Sequence, residues 1–144
     1  MDVLHDFLLS YYFLAFIIAW ILSVFIKSII SSVRNKRPFR VKDGFNNGGM
    51  PSSHSAVVAS ITTALLLKTG FSEIFFVSLV FSLLVISDAF IVRKNVGLQG
   101  DTINGLLKRS GENPISVVYG HSFMQVIAGI VLGVACSAIL YVLI

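Results

Sequence analysis

Charged residues are scarce in this sequence of 144 amino acids. Asp, Glu, Lys and Arg together make up 12% of the chain, whereas soluble domains average about 25%. Hydrophobic residues account for 56%, and the mean hydropathy is +0.88. So little charge excludes an ordinary soluble domain. The composition indicates a membrane protein, and the length predicts a single membrane-embedded domain over residues 1–144.

Cysteine is almost absent as well. Cys136, the single one, lies deep in the last apolar run, where it cannot form an internal disulfide and is expected to serve packing. Together with His5, His54 and His121 it shows no spacing typical of a metal site. No basic residue precedes the first apolar run, which is also too long for a signal peptide, so it is interpreted as a retained helix.

The sequence contains long uncharged runs. Residues 7–26 and 122–144 are each long enough to cross a bilayer, which takes about 20 residues. Two shorter runs, 51–69 and 74–92, reach about the minimum length and are joined by a tight turn at residues 70–71. No segment alternates as a barrel strand would. The prediction is therefore an all-α, four-helix membrane bundle with short interfacial helices.

Basic residues are confined almost entirely to two loops. These loops hold ten of the eleven Lys and Arg residues, namely Lys27, Arg34, Lys36, Arg37, Arg40, Lys42, Arg93, Lys94, Lys108 and Arg109. The positive-inside rule places both loops in the cytoplasm and both termini outside. Five glycines in the second loop argue against one long helix there. Two short interfacial helices are predicted instead, one over 102–109 capped by Asp101 and one from Pro114 capped by Asn113.

The segment 48–56, Gly-Gly-Met-Pro-Ser-Ser-His-Ser-Ala, is the most informative stretch of the chain. Pro51 suits the first turn of a helix, and the preceding glycines allow an oxyanion to approach the backbone. Free N–H groups and the positive end of the helix dipole favour an anion there. His54 lies one turn inside, placed to pass a proton to a leaving oxygen. The alternative is a helix cap followed by a surface histidine.

Six polar side chains gather at one end of the predicted bundle. They are His54, His121, Asp88, Arg93, Lys27 and Arg34. Arginine binds phosphate oxygens in pairs, lysine adds a point charge, and two histidines can act as nucleophile and acid. The alternatives are histidines hydrogen-bonded to backbone, an ion pair of Asp88 with Arg93 or Lys27, and a Lys27 that only reaches toward the interface.

Three blocks at helix ends carry a family resemblance. They are GGMPSSHSA at 48–56, DAFIVRKNVGLQ at 88–99 and GHSFMQVIAG at 120–129. In this order they resemble the divergent branch of the type 2 phosphatidic acid phosphatase superfamily, over nearly the whole chain. The superfamily also contains vanadium-dependent haloperoxidases, but this chain lacks the extra scaffold of those larger, soluble enzymes.

The resemblance implies both a mechanism and residue roles. His121 would attack phosphorus and become a phosphohistidine, and His54 would protonate the leaving alkoxide. The phosphate oxygens would be held by Lys27, Arg34, Ser52, Ser53 and Arg93. No metal or other cofactor is required, because the cations and the helix dipole stabilise the charged transition state.

The chain departs from the family pattern in its arginines. At the family spacing Lys27 is followed by Arg34, whereas the Arg-Pro pair of the pattern occurs at Arg37 and Pro38, so either arginine is a candidate for the phosphate. The arginine that normally precedes the nucleophile is replaced by an apolar residue, so Arg93 would substitute for it from another helix.

A second departure concerns the residue that orients the nucleophile. Gln125 stands where an aspartate normally does, and a neutral amide stabilises an imidazolium poorly. Asp88, counted with the two histidines as catalytic, or Glu112 would then supply the missing charge. Without either, the resemblance implies a slow or inactive enzyme.

The expected activity is hydrolysis of a lipid phosphate monoester or pyrophosphate at the cytoplasmic leaflet. The expected partners are that lipid and the membrane, without nucleic acid. A homodimer through the first or last helix is also predicted, although Gly129-xxx-Gly133 would serve packing within one chain equally well. The alternatives are a non-catalytic lipid-phosphate binder or flippase component, and a purely structural membrane protein.

Overall fold

The computed structural model describes residues 3–45, 49–117 and 119–144, and every regular element in these ranges is helical. The α-helices are α1 (Val3–Leu8), α2 (Tyr11–Arg34), α3 (Ser53–Thr69), α4 (Glu73–Ser87), α5 (Arg93–Arg109) and α6 (Phe123–Leu143). A 3₁₀ turn, Val41–Phe45, follows α2, and a π turn, Asp88–Val92, joins α4 to α5. Gly48 of the segment 48–56 lies outside the described residues.

Three helical stretches are long and apolar enough to cross a membrane, namely Tyr11–Arg34, Glu73–Arg109 and Phe123–Leu143. They confirm the prediction of an all-helical membrane protein. With 17 residues, α3 is only about as long as the shortest spans, so the fourth crossing of the bundle stays a prediction. The first span begins later than predicted, after its cap Ser10, and continues past the apolar run to Arg34.

α3 is the central helix, and it packs against α2, α4 and, most extensively, α6. Small residues on both helices let the two backbones approach closely. A Cβ added to Gly133 of α6 would lie 2.2 Å from the carbonyl oxygen of Ala56, and one on Gly129 would lie 2.4 Å from that of Ser52. Gly129-xxx-Gly133 therefore packs α6 on α3 within one chain. The homodimer stays a prediction and would have to use other surfaces.

Buried hydroxyl groups connect the helices to one another. The Ser137 hydroxyl donates to the carbonyl oxygen of Ser60 over 2.6 Å, and the Tyr11 hydroxyl donates to that of Ser137 over 2.8 Å. The hydroxyls of Thr62 and Ser82 are hydrogen-bonded over 2.7 Å, which joins α3 to α4. In lipid, where apolar burial contributes little between helices, such bonds and close packing fix the helix register.

The prediction of two short interfacial helices in 94–120 is wrong in its first part. α5 continues α4 through the π turn, so that Glu73–Arg109 forms one long helical stretch. The glycines do not break it, because a neighbouring segment fills the space they leave. A Cβ on Gly97 would lie 2.8 Å from Cδ1 of Tyr119, and one on Gly100 would lie 2.7 Å from the methyl groups of Val117. Packing here outweighs the low helix propensity of glycine.

The second part of that prediction is also wrong. Residues 112–117 and 119–122 are not helical, so Asn113 caps no helix. The segment instead runs back along α5, where the Asn104 side chain bonds both the N–H and the carbonyl oxygen of Ile115, over 2.8 and 3.0 Å. Asp101 is not a helix cap, because it lies within α5. Its carboxylate instead accepts a hydrogen bond from the Tyr119 hydroxyl.

Candidate active site

Two imidazole rings face each other where α2 ends and α3 and α6 begin. His54 lies in the first turn of α3, and His121 directly precedes Ser122, the N-cap of α6. The ring centroids are 6.4 Å apart, with the ring planes inclined by 60°. The structure thus brings together two histidines from opposite halves of the chain.

Gln125 fixes the orientation of the His121 ring. Its Oε1 accepts the backbone N–H of Ser122 over 3.0 Å, which identifies this atom as the amide oxygen. The same oxygen lies 3.1 Å from Nδ1 of His121, so Nδ1 carries the proton and donates. In this assignment the lone pair is on Nε2, the nitrogen that a nucleophile needs. The backbone N–H of His121 also donates to the carbonyl oxygen of Ala89 over 3.1 Å.

The π turn and Gly120 bring the third helix to this point. A Cβ on Gly120 would lie 2.6 Å from the backbone nitrogen of Lys94 and 3.1 Å from the carbonyl oxygen of Ala89, so a glycine is needed for the contact. π turns inside α-helices occur frequently at functional sites. The same turn presents Asp88 and Arg93, whose side chains form an ion pair with Nε 3.2 Å from Oδ2. The structure therefore contains the ion pair with Arg93 that the sequence analysis gives as the alternative to a catalytic Asp88.

Lys27 is the most deeply placed cation of the site. Its side chain is 6% exposed, and no carboxylate of the described residues lies within ion-pair distance of it. Gly49, with φ of +88°, passes close by: a Cβ there would lie 3.3 Å from Cγ of Lys27. A buried charge without a protein counter-ion is costly, so an anion beside Lys27 would be favoured.

The environment of His121 keeps its imidazole neutral near pH 7. The residue is 7% exposed, and this burial lowers the pKa of His121 below its usual value. The hydrogen bond to Gln125 opposes that effect, while the positive charges of Lys27 and Arg93 lower the pKa further. A neutral imidazole whose Nε2 is unprotonated is the form that can attack an electrophile.

Two cavities meet at Lys27. The first, here called the apolar cavity, has a volume of about 440 Å³ and a polar end formed by Lys27, Ser53, His54 and His121. Its other walls are apolar side chains, namely those of Phe16, Trp20, Val24, Phe45, Val57, Val58, Phe81 and Val85. A second cavity, about 560 Å³, is more polar and includes Arg34, Arg37 and Gln125 along its walls. One space suits a hydrocarbon chain, and the other suits water and ions.

The two serines of segment 48–56 differ in their environment. Ser52 is 0% exposed and is the N-cap of α3, where its hydroxyl oxygen accepts the N–H and the hydroxyl of Ser55. It lines neither cavity. Ser53 lines the apolar cavity, and its buried hydroxyl has no hydrogen-bond partner among the described residues. Pro51 precedes the cap and is not in the first helical turn, because α3 begins only at Ser53.

The two candidate arginines lie beside the polar cavity, whereas Glu112 lies far from the site. Arg34 and Arg37 are both exposed and both line the polar cavity with Lys27, and Arg37 also forms an ion pair with the buried Asp43 over 3.1 Å. Glu112 follows the far end of α5, roughly 25 Å of helix away from Arg93, and the His121 ring bonds Gln125 instead. Within the described ranges, no three His, Cys, Asp or Glu side chains are grouped as a metal site would require.

Gln125→Glu is expected to raise the pKa of His121, because a carboxylate stabilises the imidazolium. Since the neutral ring is the nucleophile, activity should then be lost at a higher pH on the acid side than in the wild type. An NMR titration of His121 and the pH profile of kcat/KM would measure this. Glu112→Gln, a charge change remote from the ring, should shift neither. If the acid side of the kcat/KM profile does not shift in Gln125→Glu, the assigned hydrogen bond between Gln125 and His121 is contradicted.

Comparison with known proteins gives a consistent family assignment. The Divergent PAP2 family matches residues 8–136. The chain is also similar to the uncharacterized membrane protein YuiD of Bacillus subtilis, with 36% identity over 108 residues, which is 74% of this chain and 65% of that protein. It thus spans slightly less than two thirds of that relative. No solved structure matches the chain significantly. From the extent of the family match, the chain belongs to the Divergent PAP2 family.

Proposed function

We propose that the protein is a membrane-embedded phosphatase that hydrolyses a lipid phosphate monoester or pyrophosphate through a phosphohistidine. One observation carries this proposal: His54 and His121 face each other beside the buried Lys27, at the polar end of an apolar cavity. Family membership supports phosphate chemistry, and the cavity adds a place for the lipid chain. The basic loops favour the cytoplasmic leaflet, with both chain termini outside.

In the first step, Nε2 of His121 attacks phosphorus as the bond to the leaving oxygen breaks. Burial and the charges of Arg93 and Lys27 lower the pKa of His54 in the free site, so His54 takes up its proton as the phosphate anion binds beside it. It then gives this proton to the leaving oxygen, and the lipid alcohol departs neutral. Lys27 and Arg93 neutralise the phosphoryl oxygens. Arg93 uses Nε for Asp88, so its NH₂ groups remain available to phosphate. The hydroxyl and the N–H of Ser53, at the start of α3, would add donors.

In the second step, water attacks the phosphohistidine. His54, now neutral, accepts a proton from the water, and the N–P bond breaks so that its electron pair returns to Nε2. Inorganic phosphate is released, and both histidines regain their starting protonation. The polar cavity beside Lys27 supplies a route for water and phosphate that avoids the apolar one.

A direct test is phosphate release by the purified protein reconstituted in liposomes. A set of lipid phosphate monoesters and pyrophosphates should include at least one that is hydrolysed without added metal. Orthovanadate, which adopts the geometry of the transition state, should inhibit the reaction. Absence of release from every member, in preparations that bind vanadate, would contradict the phosphatase.

The second candidate is a lipid-phosphate binding or flippase-type protein without turnover. The neutral Gln125 beside His121 favours it, because no carboxylate directly stabilises the imidazolium that forms during catalysis. This candidate predicts binding of lipid phosphate and vanadate with no phosphate release. The assay above therefore separates the two functions.

A further inference from the structure

The chain segment 39–45, here called the returning segment, folds back along α2 instead of staying beyond its end. The rings of Phe39 and Phe25 lie 5.6 Å apart, and the Ser28 hydroxyl is 3.2 Å from the carbonyl oxygen of Val41. A Cβ on Gly44 would lie 2.3 Å from the carbonyl oxygen of Val24, so the contact is backbone against backbone. The segment thus packs tightly along one side of α2.

The returning segment reaches the apolar part of α2. Its last residue, Phe45, packs on Trp20, with ring centroids 5.9 Å apart and planes inclined by 69°. Trp20 precedes Lys27 by seven residues, which is about 10 Å along a helix. Backbone that is not part of an α-helix is tolerated at such a depth only where it is buried in protein or lines a cavity. The position of Phe45 therefore indicates that the end of the returning segment forms part of a cavity wall.

The Trp20–Phe45 pair separates two apolar spaces. Trp20, Val24 and Phe45 line both the cavity of about 440 Å³ and a smaller one of about 200 Å³. Only the larger cavity includes the two histidines and Lys27. The smaller lies on the opposite side of the pair, between α2 and the returning segment, where Phe25 and Phe39 complete it.

We infer that the site selects a lipid phosphate with a single hydrocarbon chain, which lies in the larger cavity. The Trp20–Phe45 pair is the partition that denies a second chain the smaller cavity. A phosphate held by Lys27 and the histidines leaves one apolar space adjoining it, so a two-chain lipid would have one chain without a place. This inference rests on the proposed function, and it makes Trp20 and Phe45 specificity-determining residues.

The test compares three phosphate monoesters on the wild type and on Phe45→Ala. These are lysophosphatidate with one chain, phosphatidate with two chains, and phenyl phosphate with none. The wild type should favour lysophosphatidate over phosphatidate by at least about tenfold in kcat/KM. Phe45→Ala joins the two cavities, so it should reduce that preference severalfold by improving phosphatidate, and phenyl phosphate, which has no chain, reports any change in the chemical step itself. Phe39→Ala, which alters only the smaller cavity, should keep the wild-type preference.

A binding measurement keeps the inference independent of turnover. Trp20 is the single tryptophan of the chain, so its fluorescence reports on the cavity wall alone. A one-chain alkyl phosphonate brominated along its chain should quench Trp20 saturably in unbrominated nanodiscs, and a two-chain phosphonate should compete poorly until Phe45 is removed. Failure of all hydrolysis would overturn the phosphatase, while quenching still decides chain selection. Equal binding or hydrolysis of one-chain and two-chain ligands by the wild type would overturn the partition.

Discussion

His121→Ala should lower the rate of phosphate release by at least about 10⁴-fold, because it removes the atom that forms the bond to phosphorus. The buried ring lines the apolar cavity while Gln125 bonds Nδ1, which leaves the lone pair on Nε2. The variant should also form no phosphoenzyme. Brief reaction with a ³²P-labelled lipid phosphate followed by alkaline quenching measures this, since phosphohistidine is labile to acid and stable to base.

His54→Ala provides the matched control, because it removes the other imidazole of the facing pair. A general acid contributes about 10²–10⁴-fold where the leaving oxygen must be protonated, as for a lipid alkoxide. Nitrophenolate leaves without a proton, so His54→Ala should form phosphoenzyme from nitrophenyl phosphate at a rate close to that of the wild type. His121→Ala should not recover with that substrate. Full activity of His121→Ala, or equal losses of both variants on both substrates, would contradict the division of roles.

The proximity of the two histidines could be predicted because both stand at the start of a helix. Hydropathy locates the helices, and a histidine at the start of one helix will lie near those at the same end of its neighbours. Sequence alone could not distinguish the two adjacent serines of the motif. Ser52 caps α3, whereas Ser53 lines the apolar cavity, and that difference depends on the residue at which the helix begins. The helix begins two residues later than predicted, at Ser53 instead of Pro51.

Two features could not be predicted because they depend on tertiary packing. Gly97 and Gly100 lower helix propensity locally, but they admit the segment that runs back along α5, so the helix persists. The returning segment lies in a loop whose basic residues indicate that the loop is exposed to solvent. The available signal was Phe39, Val41 and Phe45, three apolar residues among those charges. Their partners on α2 become evident only when the two segments are seen together.

Gly133→Ala should destabilise the protein by about 1–3 kcal/mol, even though alanine is the better helix former. The added Cβ would lie 2.2 Å from the carbonyl oxygen of Ala56 and 2.8 Å from the backbone nitrogen of Ser60, and neither atom belongs to a flexible side chain. α6 would have to move away from α3. The hydrogen bond from the Ser52 N–H to the carbonyl oxygen of Gln125, 2.9 Å long, joins the same two helices beside the site.

Gly105→Ala is the control for this prediction, since a Cβ at Gly105 of α5 would meet nothing within 4 Å. The same chemical change there should stabilise the protein by up to about 1 kcal/mol through helix propensity alone. Unfolding by SDS in mixed micelles, followed by circular dichroism, gives both values. Because α6 also positions Gln125 and His121, Gly133→Ala should lower phosphate release as well, while Gly105→Ala leaves it unchanged. If both substitutions stabilise equally, the close contact between α3 and α6 does not hold the two histidines together.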